Sequence, residues 1–255
     1  LGVRVHLTED LMMRLAANQT RTRPNFGQLN PGLFISPTTD TSGRRTASGG
    51  NVDLKPIESR NYDATLEYYF SDTGWASLAV FRRDVSGFIA DETRDVADPV
   101  YGELRITRPI NLNDSALTGV EIGFTSFFDY GFVPEWARGF GVQANATYID
   151  GDLPYLSKYS YNLTGMYESG PWSARLAYNL RTKYGNGVSG EYVDDVARLD
   201  FSAGWSPNDR VTLSLDAANL LGQPFRSFYD YGDGVFPRDV RREETVYTVG
   251  LRFSY

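Results

Sequence analysis

The chain has 255 residues, no cysteine, a formal charge of −7, and 14% aromatic residues within a hydrophobic fraction of 41%. It has no apolar run of the roughly 18–20 residues that a membrane-spanning helix needs. The acidic balance disfavours a nucleic-acid partner, and the absence of thiols removes disulfides, Cys-type zinc sites and cysteine nucleophiles. Seventeen Tyr, 15 Phe and 25 Gly are instead the usage of strands punctuated by turns, so the expected class is all-β.

Period-two alternation of apolar and polar residues predicts eleven strands, in order over residues 1–8, 11–22, 60–70, 75–89, 117–128, 140–148, 159–168, 172–181, 197–205, 211–217 and 246–255. The segment 75–89 alternates least cleanly. The last one is strict: Tyr247, Val249, Leu251, Phe253 and Tyr255 share one face, and Thr248, Gly250, Arg252 and Ser254 the other. His6, the single histidine, falls on the polar face of the first strand. An enzyme of the Ser-His-Asp type would depend on that one position, so no catalytic residues are assigned.

The connections alternate in length. Tight turns rich in Gly, Pro, Asn and Asp fall at 8–10, 71–74, 168–171 and 206–209, with 129–138 somewhat longer. Between them lie long connections at 23–59, 90–116, 185–195 and 222–241, with only 151–156 short. Strands of about ten residues, one face apolar and one polar, with loops long on one side only, are the signature of an antiparallel transmembrane β-barrel. Such a sheet has to close, because an open edge in lipid leaves backbone groups unpaired. Eleven is odd where single-chain bacterial barrels have an even count. Either residues 101–111 supply a twelfth strand, or the chain is the C-terminal part of a longer polypeptide; the second is the expectation.

The stretch "RLDFSAGWSPNDRVTLSLDAANLLGQPF", followed by a variable loop and "ETVYTVGLRFSY", resembles the end of TonB-dependent outer-membrane receptors, with Asn219, Leu220 and Leu221 where that family closes its penultimate strand. "TRPNFGQLNPG", "LKPIESRNYDATLEYYF" and "RPIN" before "LTGVEIGF" are similar to the family in the same order, so the resemblance covers nearly the whole chain. It is nearest to the subgroup found in Caulobacter-like proteobacteria. The resemblance implies a Gram-negative outer-membrane location and a 22-stranded barrel of which these would be the last eleven strands. It also implies a plug domain and a TonB-contacting segment, neither of which has a counterpart in this sequence. The function it implies is TonB-driven uptake of a scarce nutrient, an oligosaccharide for that subgroup, with a ferric siderophore as the alternative; a passive porin is a further one. The implied partners are outer-membrane lipid, the TonB complex, the barrel-assembly machinery and the transported ligand, with no cofactor. Thr248, Gly250, Phe253 and Tyr255 fit the spacing of the family's assembly signal.

Specificity is expected in the long loops, because a rigid scaffold lets them vary. Within 225–241, Phe228, Tyr229 and Tyr231 offer ring faces for sugars, while Asp230, Asp233 and Arg238 offer hydrogen bonds to hydroxyls. Asn25, Gln28 and Asn30 form a second, amide-rich cluster, in which Pro24, Pro31 and Gly32 also suit a turn. The lumen-facing charges Arg175, Arg181, Arg198, Asp200, Asp216 and Arg252 are expected to pair among themselves and with the plug. The acidic doublets Asp91-Glu92 and Asp194-Asp195 are expected to be solvated, and no metal site is assigned.

Overall fold

Segments whose side chains alternate between two unlike media form strands, and the computed structural model, which describes residues 1–40, 43–187 and 190–254, shows nineteen of them among those residues. In chain order they are β1 (Gly2–His6), β2 (Leu11–Thr22), β3 (Leu33–Thr39), β4 (Arg45–Gly49), β5 (Ile57–Ser71), β6 (Gly74–Ser86), β7 (Ile89–Asp98), β8 (Gly102–Asn111), β9 (Ser115–Phe127) and β10 (Phe140–Asp150). There follow β11 (Tyr159–Ser169), β12 (Trp172–Arg181), β13 (Tyr184–Gly185), β14 (Glu191–Val193), β15 (Val196–Asn208), β16 (Val211–Ala218), β17 (Phe225–Asp230), β18 (Val235–Arg241) and β19 (Val246–Phe253). Eleven make one antiparallel meander in the order β1-β2-β5-β6-β9-β10-β11-β12-β15-β16-β19. These are the eleven strands expected from the alternation. The other eight build two four-stranded sheets out of the long connections, β3-β4-β8-β7 and β13-β14-β17-β18.

The register fixes which face each side chain takes. Across the wall, Val249, Leu215, Ala203, Ala174, Tyr167 and Phe140 form one row, and Val3, Leu15, Ala64, Val80, Val120, Tyr148 and Tyr159 another. The opposite face carries Glu67, Ser77, Gly123, Asn145, Asn162, Asn179 and Arg198 in a continuous row. Val249 is 73% exposed and Ile122 55%. A water-soluble sheet would bury this face, so the wall is built to meet hydrocarbon. Aromatic pairs mark its two rims. Phe70–Phe124 (5.8 Å), Phe140–Tyr167 (4.7 Å) and Trp172–Trp205 (5.8 Å) lie toward the short turns, and Tyr148–Tyr159 (5.2 Å) lies at the loop end. Amphipathic rings favour the headgroup level of a bilayer.

Most strand ends shift by a few residues from the sequence reading, and three differences have a structural reason. The segment 75–89 is two strands: Gly87 takes φ +66°, where a Cβ would stand 3.0 Å from the Pro56 carbonyl oxygen, so β6 stops and β7 turns out of the wall. Residues 101–111 do contain a strand, β8, yet it pairs with β7 and β4 in a loop sheet, and the wall count stays at eleven. The first strand ends at His6 because the Leu7 and Thr8 amides both donate to the Leu11 carbonyl in the turn.

Candidate functional site

The hairpin β17-β18 is closed by the turn 231–234. Asp230 Oδ1 accepts from the Gly232 amide at 2.9 Å, and Gly232 has φ +84°, a left-handed conformation that glycine adopts without strain. On the other side of β17, β14 sets Glu191 opposite Tyr229. One face of this sheet therefore gathers Glu191, Tyr229, Tyr231, Phe236 and Arg238. Tyr229 and Tyr231 stack with centroids 5.6 Å apart, and Phe236 lies 6.0 Å from Tyr231. Arg238 Nε donates to the Tyr229 hydroxyl at 3.2 Å and lies 3.3 Å from Glu191 Oε2, to which Asn186 Nδ2 also donates at 3.1 Å.

The Glu191 side chain is 7% exposed, and a buried carboxylate requires compensation of this kind. The hydrogen bond to Tyr229, and next the charge of Glu191, hold the Arg238 guanidinium above its ordinary pKa. The site therefore presents a fixed cation beside rings that solvent reaches, with Tyr231 65% and Phe236 54% exposed. Such a face offers ring surfaces for stacking and a guanidinium fork for oxygen acceptors.

The residues expected at this site are partly separated. Phe228 points to the opposite face, where it stacks on Tyr192 at 5.4 Å beneath Lys183. Asp230 is engaged in its own turn, and Asp233 stands in that turn, exposed. Asn25, Gln28 and Asn30 sit around the single helical turn Phe26–Leu29 in the other loop. Asn25 and Gln28 form a reciprocal capping box, and Asn30 Oδ1 accepts from the Gly32 amide at 2.9 Å. Sequence reasoning missed Glu191, Asn186 and Phe236. The one local hint was Glu191 two residues before Val193 in a short alternating run, whereas its partners come from pairing across the loops.

The sheet β3-β4-β8-β7 is tied by Asp95, which accepts from Arg105 Nε at 2.9 Å and pairs with Arg44 at 2.6 Å. The hydrogen bond from Arg105 is the chief cause that lowers the Asp95 carboxyl pKa. On the lumen side Arg175 meets Glu168 at 3.3 Å and Arg198 meets Asp200 at 3.2 Å, while Arg181 Nε donates to Ser157 Oγ at 2.7 Å. Of the acidic doublets, Asp195 accepts from the Lys183 amide and Glu92 pairs with Arg94. Among the described residues no group of three or more His, Cys, Asp or Glu is placed to hold a metal. In β19, Thr248 and Gly250 face the lumen opposite Asp216 and Ser214, and Phe253 points outward, 61% exposed. A Cβ at Gly250 would come within 2.6 Å of Ser214 Oγ. Tyr255 lies outside the described residues.

Comparison with known proteins agrees with this architecture. The vitamin B12 transporter BtuB of Photobacterium profundum is 23% identical over 177 residues, 69% of this chain and 28% of that protein. Among solved structures, a mutant of the ferric enterobactin receptor PfeA of Pseudomonas aeruginosa matches with TM-score 0.68 and 19% identity, over all of this chain and 39% of that one. The siderophore receptor PirA of the same organism matches at 0.69 and 18%, covering 41% of its chain, and the copper transporter OprC at 0.70 and 18%, covering 39%. The chain thus spans well under half the length of these relatives, which are receptors and transporters. Residues 1–220 match the family described as TonB dependent receptor-like, beta-barrel. The chain belongs to the β-barrel of the TonB-dependent receptors, a family of the Gram-negative outer membrane.

Proposed function

We propose that the protein is an uptake receptor that captures a scarce nutrient at its loop sheets and passes it inward by TonB-coupled transport. The observation that carries this reading is the exposed ring face Tyr229–Tyr231–Phe236 beside the charge-fixed Arg238, held on a four-stranded sheet built from the long connections of the wall. Pockets for small ligands combine apolar walls with a few placed polar groups. For the ligand, ring faces and a guanidinium suit an oligosaccharide. A ferric siderophore is the second reading, in keeping with the similarity to PfeA, a ferric enterobactin receptor, and PirA, a siderophore receptor; the aryl rings and anionic oxygens of a catecholate siderophore would meet the same two features. TonB would engage a region outside this chain, and insertion would run through the barrel-assembly machinery.

The test is binding by the intact receptor of a panel of oligosaccharides and ferric catecholates. Replacing Tyr229 and Tyr231 together by Ala should weaken the bound class at least tenfold, since each stacked ring is worth about 0.5–1.5 kcal/mol beyond its burial, with barrel abundance unchanged. Unchanged affinity for every ligand that the receptor binds would remove this face from the account.

A further inference from the structure

The longest of the short turns, residues 128–139, folds back over the outward face of the wall. Its 3-10 turn Glu135–Ala137 holds Trp136, 77% exposed, over a groove of about 540 Å3 bounded by Phe140, Tyr167, Leu176 and Phe201, with Gly165 as its floor. Register places all of these on the hydrocarbon side: Phe140 pairs with Tyr167, and Gly165 with Leu176, which pairs with Phe201. A Cβ built at Gly165 meets nothing within 4 Å, so the gap in this apolar row is the space of a missing side chain. Glycine inside a strand often marks a close approach by another molecule.

An apolar cavity facing a bilayer does not fill with water, and left empty it forfeits the dispersion contacts of its lining. Flanking Trp136 and Ala137, which line the groove, stand Glu135 and Arg138; among the described residues neither side chain has a hydrogen bond or ion pair, whereas the turn's other anion, Asp129, accepts from Thr73 Oγ1 at 3.3 Å. Glu135 and Arg138 are both exposed. A purely anionic headgroup would be drawn by Arg138 and repelled by Glu135, whereas a zwitterion satisfies both.

We infer that this groove is a site for one phospholipid of the periplasmic leaflet with phosphatidylethanolamine chemistry. An acyl chain lies over Gly165 beneath Trp136, the phosphate takes the Arg138 guanidinium, and the ammonium takes the Glu135 carboxylate. The indole sits at headgroup depth, where tryptophan is enriched.

The experiment uses the intact receptor, extracted from outer membranes, delipidated in mild detergent and titrated by native mass spectrometry with dioleoyl phosphatidylethanolamine or dioleoyl phosphatidylglycerol. The expected result is one tightly held phosphatidylethanolamine. Gly165→Leu, which fills the groove, and Arg138→Glu should each lower its affinity about tenfold, the magnitude of one charge-assisted hydrogen bond or a comparable loss of burial. Glu135→Arg should move the preference toward phosphatidylglycerol. Should Gly165→Leu fail to assemble, Trp136→Ala, in a turn outside the wall, is expected to give the same loss. Equal binding of the two lipids by the unaltered receptor, or unchanged affinity in the groove variants, would overturn the assignment. Neither outcome bears on ligand capture at the loop sheet.

Discussion

Asn219 shows how one residue joins the wall to its loops. It has φ +56°, a left-handed conformation, and is 3% exposed. Its amide donates to Asp200 Oδ1 at 2.7 Å, its Nδ2 donates to the Glu243 carbonyl at 3.1 Å, and its carbonyl accepts from Thr245 Oγ1 at 2.8 Å. These bonds tie β15 to the chain entering β19, at the point where the family motif begins. Asparagine tolerates this backbone, whereas alanine there costs about 1–2 kcal/mol, and losing the side-chain bond costs a further 1 kcal/mol or so. Asn219→Ala should therefore destabilise the folded receptor by about 2–3 kcal/mol and Asn219→Gly by about 1 kcal/mol less, read by urea unfolding in detergent. Equal losses would mean that the conformation of residue 219 contributes nothing. This residue was readable in the sequence through its motif. Glu191 was not, because a carboxylate becomes a site residue only when pairing across the loops buries it beside Arg238.

At the scale of the element, the two faces of a wall strand answer to different solvents. In β16, Leu215 is outward and 43% exposed, while Ser214 faces the lumen opposite Gly250. Leu215→Arg should cost about 2–4 kcal/mol if it lies near mid-depth, and Ser214→Arg much less, measured as outer-membrane abundance and unfolding midpoint. Equal effects would mean that the register is inverted. That asymmetry explains why all eleven wall strands could be read from period two. Of the eight loop strands only β8, at 101–111, is foreshadowed in the sequence, and there as a twelfth wall strand. β7 runs "IADETRDVAD" with polar groups on both faces, and β4 joins β8 in parallel from far along the chain, so neither carries a local apolar stripe. The loop sheet also has a pH signature. The folded-state pKa of Asp95 is lowered by Arg105, so the bridge stabilises fully above the unfolded carboxylate pKa of about 3.9. It is lost as pH falls through the lower folded value. Protection of the β8 amides, taken relative to the unstructured rate at each pH, should hold at pH 5 and fall only in stronger acid, and Asp95→Asn should lower it already at pH 5. Unchanged protection in Asp95→Asn would contradict that role.

For the whole molecule, the eleven-stranded sheet has β1 and β19 as its outer strands, and in lipid an unpaired backbone edge costs several kcal/mol per group. We propose that these edges are paired by further strands of a longer receptor, which would also supply the plug and the TonB-contacting segment. In such a receptor the wall crosses the outer membrane with its loop sheets outside and its short turns inside. The chain contains no cysteine, so single-cysteine variants report position without background. In whole cells, an impermeant maleimide should label Asp233→Cys, in the β17-β18 turn, and should label Asp209→Cys, in the β15-β16 turn, only after the outer membrane is permeabilised. Labelling of Asp209→Cys in intact cells, or protection of Asp233→Cys there, would contradict the account.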